Sequence, residues 1–290
     1  MTSAEVGAAA QLACLLEASA PKPGNVSPGR PFHDTRYEDF LASAVAIGPA
    51  MAAAGDVSLG ATVRAAVAAT RRLTPRNTNL GIVLLLAPLC RAARQVGSPA
   101  LRERLGRVLA ETTVADAGAV YEAIRLAAPS GLGAAGAQDV ADPPTVTLRD
   151  AMALAAERDR VAGEYVTDFR VTFELAVPAL RSALADGLVW TDAVVDAYLS
   201  ILASVPDSHV ARKLGLPAAE AISGRAREMQ ALGGIRTAPG RVALEAFDGE
   251  LRDARNTRNP GTSADLTTAA ICVVILEGGW QRSGEHARAE

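Results

Sequence analysis

The feature that most constrains this chain is a helical spacing of apolar residues, which recurs from one end to the other. Apolar residues return every three or four positions, as on one face of an α-helix, and no stretch shows the strict alternation of a half-buried strand. The sequence predicts helices over residues 2–17, 37–54, 59–73, 78–96, 101–111, 114–127, 148–158, 165–186, 190–203, 208–214, 217–230, 241–255 and 263–278. The predicted fold class is therefore all-α.

Composition agrees with close-packed helices and limits the partners. Apolar residues make up 49% of the chain and aromatic residues 4%, a balance that suits helices more than a β-sandwich. The formal net charge of −3 gives no reason to expect nucleic acid or a membrane surface as a partner. The apolar runs are shorter than the roughly 20 residues that span a bilayer.

The three cysteines lie far apart in apolar runs, so they are predicted to be buried thiols rather than zinc ligands or disulfides. Residues 1–20 lack the basic segment of a secretory signal, and a cytoplasmic location is therefore predicted.

One long break interrupts the helical pattern, over residues 129–147. It could be a linker between two domains. Because the helical composition is the same on both sides, we predict a single multi-helix globular domain over residues 1–280. The last segment, residues 281–290, is predicted to be a flexible tail.

Four polar clusters each stand directly before an apolar helix. They are the proline-rich loop of residues 19–37, "TPRNTNLG", "VPDSHVARKLG" and "RNTRNPGTSADL". Each has a simple explanation as a helix cap: Asn77 can cap one helix, Asp207 can cap a short helix that ends at Gly215, and Thr262 with Asp265 has capping-box spacing.

The four clusters together contain more hydrogen-bonding groups than capping requires. Helix N-termini with surplus polar groups are typical of polyphosphate sites, because free N–H groups and the helix dipole both favour an anion. Positive charge for such a site would come from Lys22, Arg76, Arg212, Lys213 and Arg258. Carboxylates in the clusters could hold a divalent metal ion.

Other motifs are weaker. The "GLGAAG" of residues 131–136 does not follow a strand, so it is not expected to bind a dinucleotide. His209 lacks a partner at metal-ligand spacing and is interpreted as a surface residue.

Four motifs in order, "PKPGNV" with "FHD", "NTNLG", "DSHVARKLG" and "NPGTSADL", resemble the triphosphoribosyl-dephospho-CoA synthase family over roughly residues 9–278. The resemblance implies an all-helical enzyme that moves the triphosphoribosyl group of ATP to a ribose hydroxyl of 3′-dephospho-CoA and releases adenine. It implies ATP as a substrate, Mg²⁺ as the metal and small molecules as the partners. A homodimer is left open.

The resemblance also implies the site residues. The candidate catalytic carboxylates are Asp34, Asp207 and Asp265, of which Asp34 and Asp265 are also candidate metal ligands. The candidate residues for binding nucleotide and acceptor are Lys22, Gly24, Asn25, His33, Asn77, Thr78, Asn79, Gly81, Arg212, Asn259, Gly261 and Ser263.

Two departures from the family pattern bear on the substrate. Asn79 and Leu80 stand where the family has histidine and lysine, and leucine can neither pair with phosphate nor donate a proton. Two alternatives therefore remain open. One is a related ATP-dependent transferase that acts on another acceptor in the biosynthesis of a cofactor such as a methanopterin-type C1 carrier. The other is a non-catalytic helical nucleotide-binding protein.

Overall fold

The structure, a computed structural model, describes residues 1–95, 97, 99–129, 133 and 136–280. Over these residues the chain forms α-helices joined by turns and has no β-strand, so the predicted all-α class is confirmed. The helices are α1 Ser3–Ser19, α2 Tyr37–Ala52, α3 Leu59–Leu73, α4 Leu80–Arg94, α5 Leu101–Ala110, α6 Val114–Ala127, α7 Leu148–Ala155, α8 Arg160–Val166, α9 Val177–Ala185, α10 Trp190–Ser204, α11 Ser208–Leu214, α12 Leu216–Ala231, α13 Ala238–Leu251 and α14 Gly261–Leu276.

The single helix predicted over residues 165–186 is wrong. The chain leaves α8 through Asp168 and Phe169, both at positive φ, and enters α9 through a π-helical segment, Thr172–Ala176. Phe169 is fully buried, and Asp168 accepts a hydrogen bond from Arg149 at 2.9 Å. The turn buries Phe169 just as a helix would. The helical spacing of apolar residues in the sequence therefore continues through the break.

The chain divides into two compact units. The first comprises Met1–Leu15 and Glu38–Arg170, and the second comprises Leu16–Tyr37 and Val171–Glu290. The single domain over residues 1–280 stays a prediction. The tail of residues 281–290 and most of the "GLGAAG" segment lie outside the described residues.

The first unit is built around α4, whose residues from Ile82 to Ala93 are nearly all buried. Helix α3 packs on α6 at Gly60, where an added Cβ would lie 2.6 Å from the Asp116 carbonyl oxygen. The Asp116 carboxylate accepts a 2.8 Å hydrogen bond from the Gly60 N–H and forms a capping box with Thr113 at the start of α6. This unit contains the "NTNLG" segment, just before and within the first turn of α4.

The second unit is built around α14, which is buried along most of its length, and it packs against α9, α10 and α11. The remaining three polar clusters of the sequence belong to this unit. The three cysteines are buried, as predicted. Of the helices that the structure describes, none is long and apolar enough to cross a membrane.

Candidate functional site

The proline-rich loop between α1 and α2 is non-helical, as its prolines predict. Ser27 and Arg30 close a tight turn, in which the Arg30 N–H donates to the Ser27 carbonyl at 2.9 Å. Pro28 and Gly29 occupy the middle of the turn, and Gly29 has φ +74°. Proline followed by glycine at positive φ is the preferred pair for a type II turn.

Gly24 lies where another part of the chain approaches closely. Its φ is +75°, and an added Cβ would lie 2.9 Å from atoms of Leu251 and Pro260, so only glycine fits without a shift. Its N–H donates to the Asp248 carboxylate at 2.7 Å, and its carbonyl accepts from the Asn259 amide at 2.6 Å. The "PKPG" and "NPGTSADL" segments therefore meet at Gly24.

Asn25 is buried and bound on several sides. Its amide donates to the Tyr198 hydroxyl at 3.1 Å, and its side-chain carbonyl accepts from Asn259 at 3.1 Å. The Tyr198 hydroxyl donates to the Pro23 carbonyl at 2.8 Å. Burial, and next the charge of Asp207, raise the pKa of Tyr198 well above its usual value. Tyr198 therefore remains a protonated donor that holds the loop.

Lys22 lies inside the second unit and not on an open surface. Its side chain is 1% exposed and its Nζ lies 3.0 Å from the Glu17 carboxylate. The same ammonium donates to the Glu17 carbonyl and, at 3.1 Å, to the Ala20 carbonyl. All three of its donors are directed at the end of α1, where helix carbonyls lack partners.

His33 and Asp34 are the more open end of the loop. The His33 side chain is 59% exposed and its Nε2 lies 4.0 Å from the Asp34 carboxylate. The His33 Nδ1 lies 3.2 Å from the amide nitrogen of Asn256. Asp34 accepts a hydrogen bond from the Thr35 hydroxyl at 3.1 Å and retains partial exposure. Among the predicted catalytic carboxylates, Asp34 is thus one that solvent reaches.

Asp207 joins the starts of two helices. One carboxylate oxygen accepts from the N–H groups of His209 and Val210, at 2.8 and 3.1 Å, and caps α11 as predicted. The other accepts from the N–H and hydroxyl of Ser263, at 2.7 and 2.8 Å, at the start of α14. Burial raises the pKa of Asp207, although these four hydrogen bonds act in the opposite direction.

The capping box predicted from Thr262 and Asp265 is wrong. The N-cap residue of α14 is Pro260, which makes no side-chain cap bond, and Thr262 lies inside the helix with its hydroxyl 3.0 Å from the Ser208 hydroxyl. Asp207, 56 residues earlier in the chain, supplies the acceptor for the first turn. Asp265 follows that turn, as the fifth residue of α14, and is partly exposed.

The surface position predicted for His209 is also wrong. Its ring packs against Gly261, where an added Cβ would lie 2.6 Å from the His209 Nδ1. Its Nε2 is buried without a hydrogen-bond partner among the residues described. Burial, and next the charges of Lys213 and Arg212, lower the pKa of His209 to about 3. The imidazole is therefore neutral near pH 7.

A loop of residues 252–260 leads into α14 and is organised by Asp253. Its carboxylate accepts from the N–H groups of Arg255, Thr257 and Arg258 at 2.7, 2.9 and 3.2 Å. These bonds leave the pKa of Asp253 below its usual value, although burial acts to raise it.

A shallow cavity of about 330 Å³ lies beside this loop. Its lining consists of Leu214, Asp253, Ala254, Arg255, Thr257 and Arg258. The neighbouring Lys213 donates to the Asn256 carbonyl at 3.0 Å, and burial lowers its pKa. Two arginines, Arg255 and Arg258, outnumber the single carboxylate of Asp253 in the lining, so the cavity has a net positive lining. Arg212 lies beside Lys213 in the last turn of α11.

The "NTNLG" segment belongs to the first unit. The Asn77 side chain accepts from the Leu80 N–H at 3.1 Å, but the N-cap residue of α4 is Asn79, so the N-cap position proposed for Asn77 is wrong. The Thr78 hydroxyl is hydrogen-bonded to the Ser43 hydroxyl. Asn79 is buried and donates to the Thr70 hydroxyl at 3.0 Å, while Leu80 is 8% exposed. Gly81, at the second position of α4, is partly exposed.

Asn79 and Leu80, the two residues that depart from the family pattern, are thus both buried within the first unit. Asn79 is held by a hydrogen bond, and Leu80 lies in the apolar interior.

The two predicted metal ligands, Asp34 and Asp265, belong to no larger cluster. Among the described residues, no group of three or more His, Cys, Asp or Glu side chains is arranged to hold a metal ion. Mg²⁺ is usually held by one or two carboxylates, with water and substrate phosphates in the other positions.

Three residues that hold the loop were missed by the sequence analysis: Tyr198, Asp248 and Arg252. A signal for Asp248 was present, because it shares the apolar face of α13 with Leu244 and Leu251. An acidic residue in a helical apolar stripe is expected to have a buried partner.

Comparison with known proteins identifies the family of this chain. The family model described as ATP:dephospho-CoA triphosphoribosyl transferase (CitG) matches residues 3–284. A crystal structure of a candidate triphosphoribosyl-dephospho-CoA synthase from Archaeoglobus fulgidus superposes with a TM-score of 0.64 and 29% identity. That match covers 82% of this chain and 99% of the other.

Curated relatives match over a shorter segment. The 2-(5''-triphosphoribosyl)-3'-dephosphocoenzyme-A synthase of Klebsiella pneumoniae is 33% identical over 104 residues, which is 36% of this chain and 36% of that protein. A probable enzyme of the same name from Stutzerimonas stutzeri is 31% identical over 103 residues, 36% of this chain and 35% of that protein. The alignment thus spans about a third of the length of these relatives. Because the family model matches nearly the whole sequence, the chain belongs to the ATP:dephospho-CoA triphosphoribosyl transferase family.

Proposed function

We propose that this protein transfers the triphosphoribosyl group of ATP to a ribose hydroxyl of 3′-dephospho-CoA and releases adenine. The observation that carries the proposal is the family match over residues 3–284. The meeting of the "PKPG" loop with the segment before α14 supports it, because two of the polar clusters contact each other at Gly24 and Asn259.

The proposed reaction breaks the bond from the ribose anomeric carbon to adenine and forms a bond from that carbon to the acceptor oxygen. The acceptor hydroxyl gives up its proton to a base, and adenine leaves with a proton. Such a displacement passes through an oxocarbenium-like state, which a nearby carboxylate stabilises. The triphosphate carries about four negative charges that the site must neutralise.

Asp34 is proposed as the base or as a metal ligand, because its carboxylate is partly exposed at the open end of the loop. Asp265 is proposed as the second metal ligand; it is the fifth residue of α14, just past the first turn. Mg²⁺, when bound, would neutralise part of the triphosphate charge. The arginine-lined cavity beside residues 252–260 is proposed to bind phosphate groups of a substrate.

Asp207 and Lys22 are proposed to stabilise the local fold and not to contact the substrate. Both oxygens of Asp207 accept hydrogen bonds from the starts of α11 and α14, so deprotonating a substrate would require those bonds to break. The donors of Lys22 are directed at Glu17 and Ala20. Gly24, Asn25 and Asn259 are proposed to shape the surface over the nucleotide.

A second candidate function is the same transfer to a different acceptor in cofactor biosynthesis, such as a methanopterin-type C1 carrier. Asn79 and Leu80 favour it, because both are buried and neither provides the charge of the family's lysine. We also propose a cytoplasmic location and a homodimer. Three buried thiols suit a reducing compartment.

The test is release of adenine from ATP and Mg²⁺, with and without 3′-dephospho-CoA. We expect adenine only when the acceptor is present. Asp34→Asn should lower the rate by about 10²–10⁴-fold, the range for loss of a general base, with an unchanged unfolding midpoint. Asp196→Asn, which alters an ion pair with Arg236, is the matched control and should keep the wild-type rate.

Adenine release with another acceptor but not with dephospho-CoA would favour the second candidate function. ATP binding without adenine release for any acceptor would favour the non-catalytic alternative.

A further inference from the structure

One buried carboxylate, Asp248 on α13, contacts the proline-rich loop at two separated points. Its side chain is 8% exposed. One oxygen accepts from the Gly24 N–H at 2.7 Å. The other accepts from the Arg30 guanidinium at 3.0 Å, beyond the turn at Pro28 and Gly29. Asp248 therefore fixes the spacing of the two sides of the turn.

Arg252, one helical turn further along, extends this connection. Its Nε donates to the same Asp248 oxygen at 2.8 Å, and its terminal nitrogen donates to the Asn25 carbonyl at 2.6 Å. Its guanidinium also lies 5.6 Å from the centre of the Phe32 ring, within cation–π distance. The loop is thus joined at residues 24, 25, 30 and 32 to one carboxylate or its arginine partner.

We propose that Asp248 is a positioning residue, which holds the loop from Gly24 to Phe32 in the geometry that binds the nucleotide. No other described acceptor replaces its two oxygens at both the Gly24 N–H and the Arg30 guanidinium. Placing a binding loop about 1 Å out of position can cost up to about 10²-fold in rate. The inference rests on the proposed function for the statement that this loop binds a nucleotide.

Asp248→Asn is the test, because it preserves size while it removes the charge. The amide oxygen can still accept from Gly24, but the amide NH₂ would then face two guanidinium donors without an acceptor. We expect the loop peptide to exchange amide hydrogens roughly tenfold faster or more, as loss of a buried acceptor predicts.

A second structural measurement is limited trypsin cleavage. The bonds after Lys22 and Arg30 precede prolines, which trypsin does not cut, so Arg36–Tyr37 is the cleavable bond of this segment. Cleavage at that bond should become faster in Asp248→Asn. Asp196→Asn, with an ion pair in the same unit but away from the loop, should leave both measurements unchanged.

The kinetic measurement separates positioning from folding. We expect Asp248→Asn to weaken ATP binding and raise KM for ATP roughly tenfold or more, while KM for the acceptor changes less than about twofold. Arg252→Lys, which keeps the charge but removes the guanidinium fork, should show the same pattern more weakly. If Asp248→Asn does not fold, Arg252→Lys is the variant that tests whether this cluster positions the loop.

Unchanged hydrogen exchange in the loop would overturn the inference, and so would equal losses for ATP and acceptor. If wild-type protein releases no adenine, the proposed function fails. The inference about Asp248 is then tested by calorimetry, which measures ATP binding to the wild type and to Asp248→Asn directly. ATP bound equally by wild type and Asp248→Asn would refute it, and so would wild-type protein that binds no ATP.

Discussion

Replacing Lys22 by methionine tests whether this lysine stabilises the fold or is available to bind phosphate. Lys22 is 1% exposed and Glu17 is 4% exposed, and the two side chains pair at 3.0 Å. Lys22→Met would leave a buried carboxylate without its cation, and such a loss typically costs about 3–5 kcal/mol. An exposed ion pair would cost about 0–1 kcal/mol, so the two cases are well separated.

Urea unfolding followed by tryptophan fluorescence measures this cost in the relevant part of the chain. The chain has two tryptophans, and both Trp190 and Trp280 belong to the second unit together with Lys22. The double variant Glu17→Gln/Lys22→Met removes the unpaired charge and should recover roughly 2 kcal/mol of the loss. A Lys22→Met variant within about 1 kcal/mol of wild type but without ATP binding would refute the reasoning and support Lys22 as a phosphate ligand.

Two further predictions concern the starts of α11 and α14. Burial and the adjacent cations lower the pKa of His209 from 6.5 to about 3, so between these values the unfolded chain takes up a proton that the folded chain does not. The free energy of unfolding should therefore fall as the pH drops from about 6.5 toward 3, by up to about 1.4 kcal/mol per pH unit. Urea unfolding at several pH values measures this dependence, and His209→Gln should make it less steep. An unchanged slope would contradict the burial of His209. Asp207→Asn would place an NH₂ donor opposite the Ser263 N–H. The free energy of unfolding should fall by about 2–4 kcal/mol, because hydrogen bonds to a charged group contribute about 1.5–3 kcal/mol each. A fall below about 0.5 kcal/mol would argue against the cap that Asp207 provides to both α11 and α14.

Much of the local structure could be predicted from the sequence, because it depends on neighbours along the chain. The three-residue spacing of Thr2 and Glu5 is that of a capping box, and the two residues exchange hydrogen bonds at 2.7 and 3.2 Å at the start of α1. The proline-rich loop and the cap of α11 by Asp207 follow from the same short-range chemistry. The apolar period likewise predicts most helices within a few residues.

The partners of the polar side chains could not be predicted, because they come from distant parts of the chain. Nothing local to Ser263 indicates that Asp207 accepts its N–H. Lys22 could equally have faced a phosphate, and only packing directs it to the end of α1. The break at Phe169 was hidden because a buried turn maintains the same apolar spacing as a helix.

The most direct test of the proposed transfer is the mass of the reaction product. Purified protein would be incubated with ATP, Mg²⁺ and 3′-dephospho-CoA, and both products would be quantified by chromatography and mass spectrometry. The proposed transfer predicts dephospho-CoA enlarged by one triphosphoribosyl group, with one adenine released for each product molecule. Unmodified dephospho-CoA with ATP still intact, from protein that binds ATP, would contradict it.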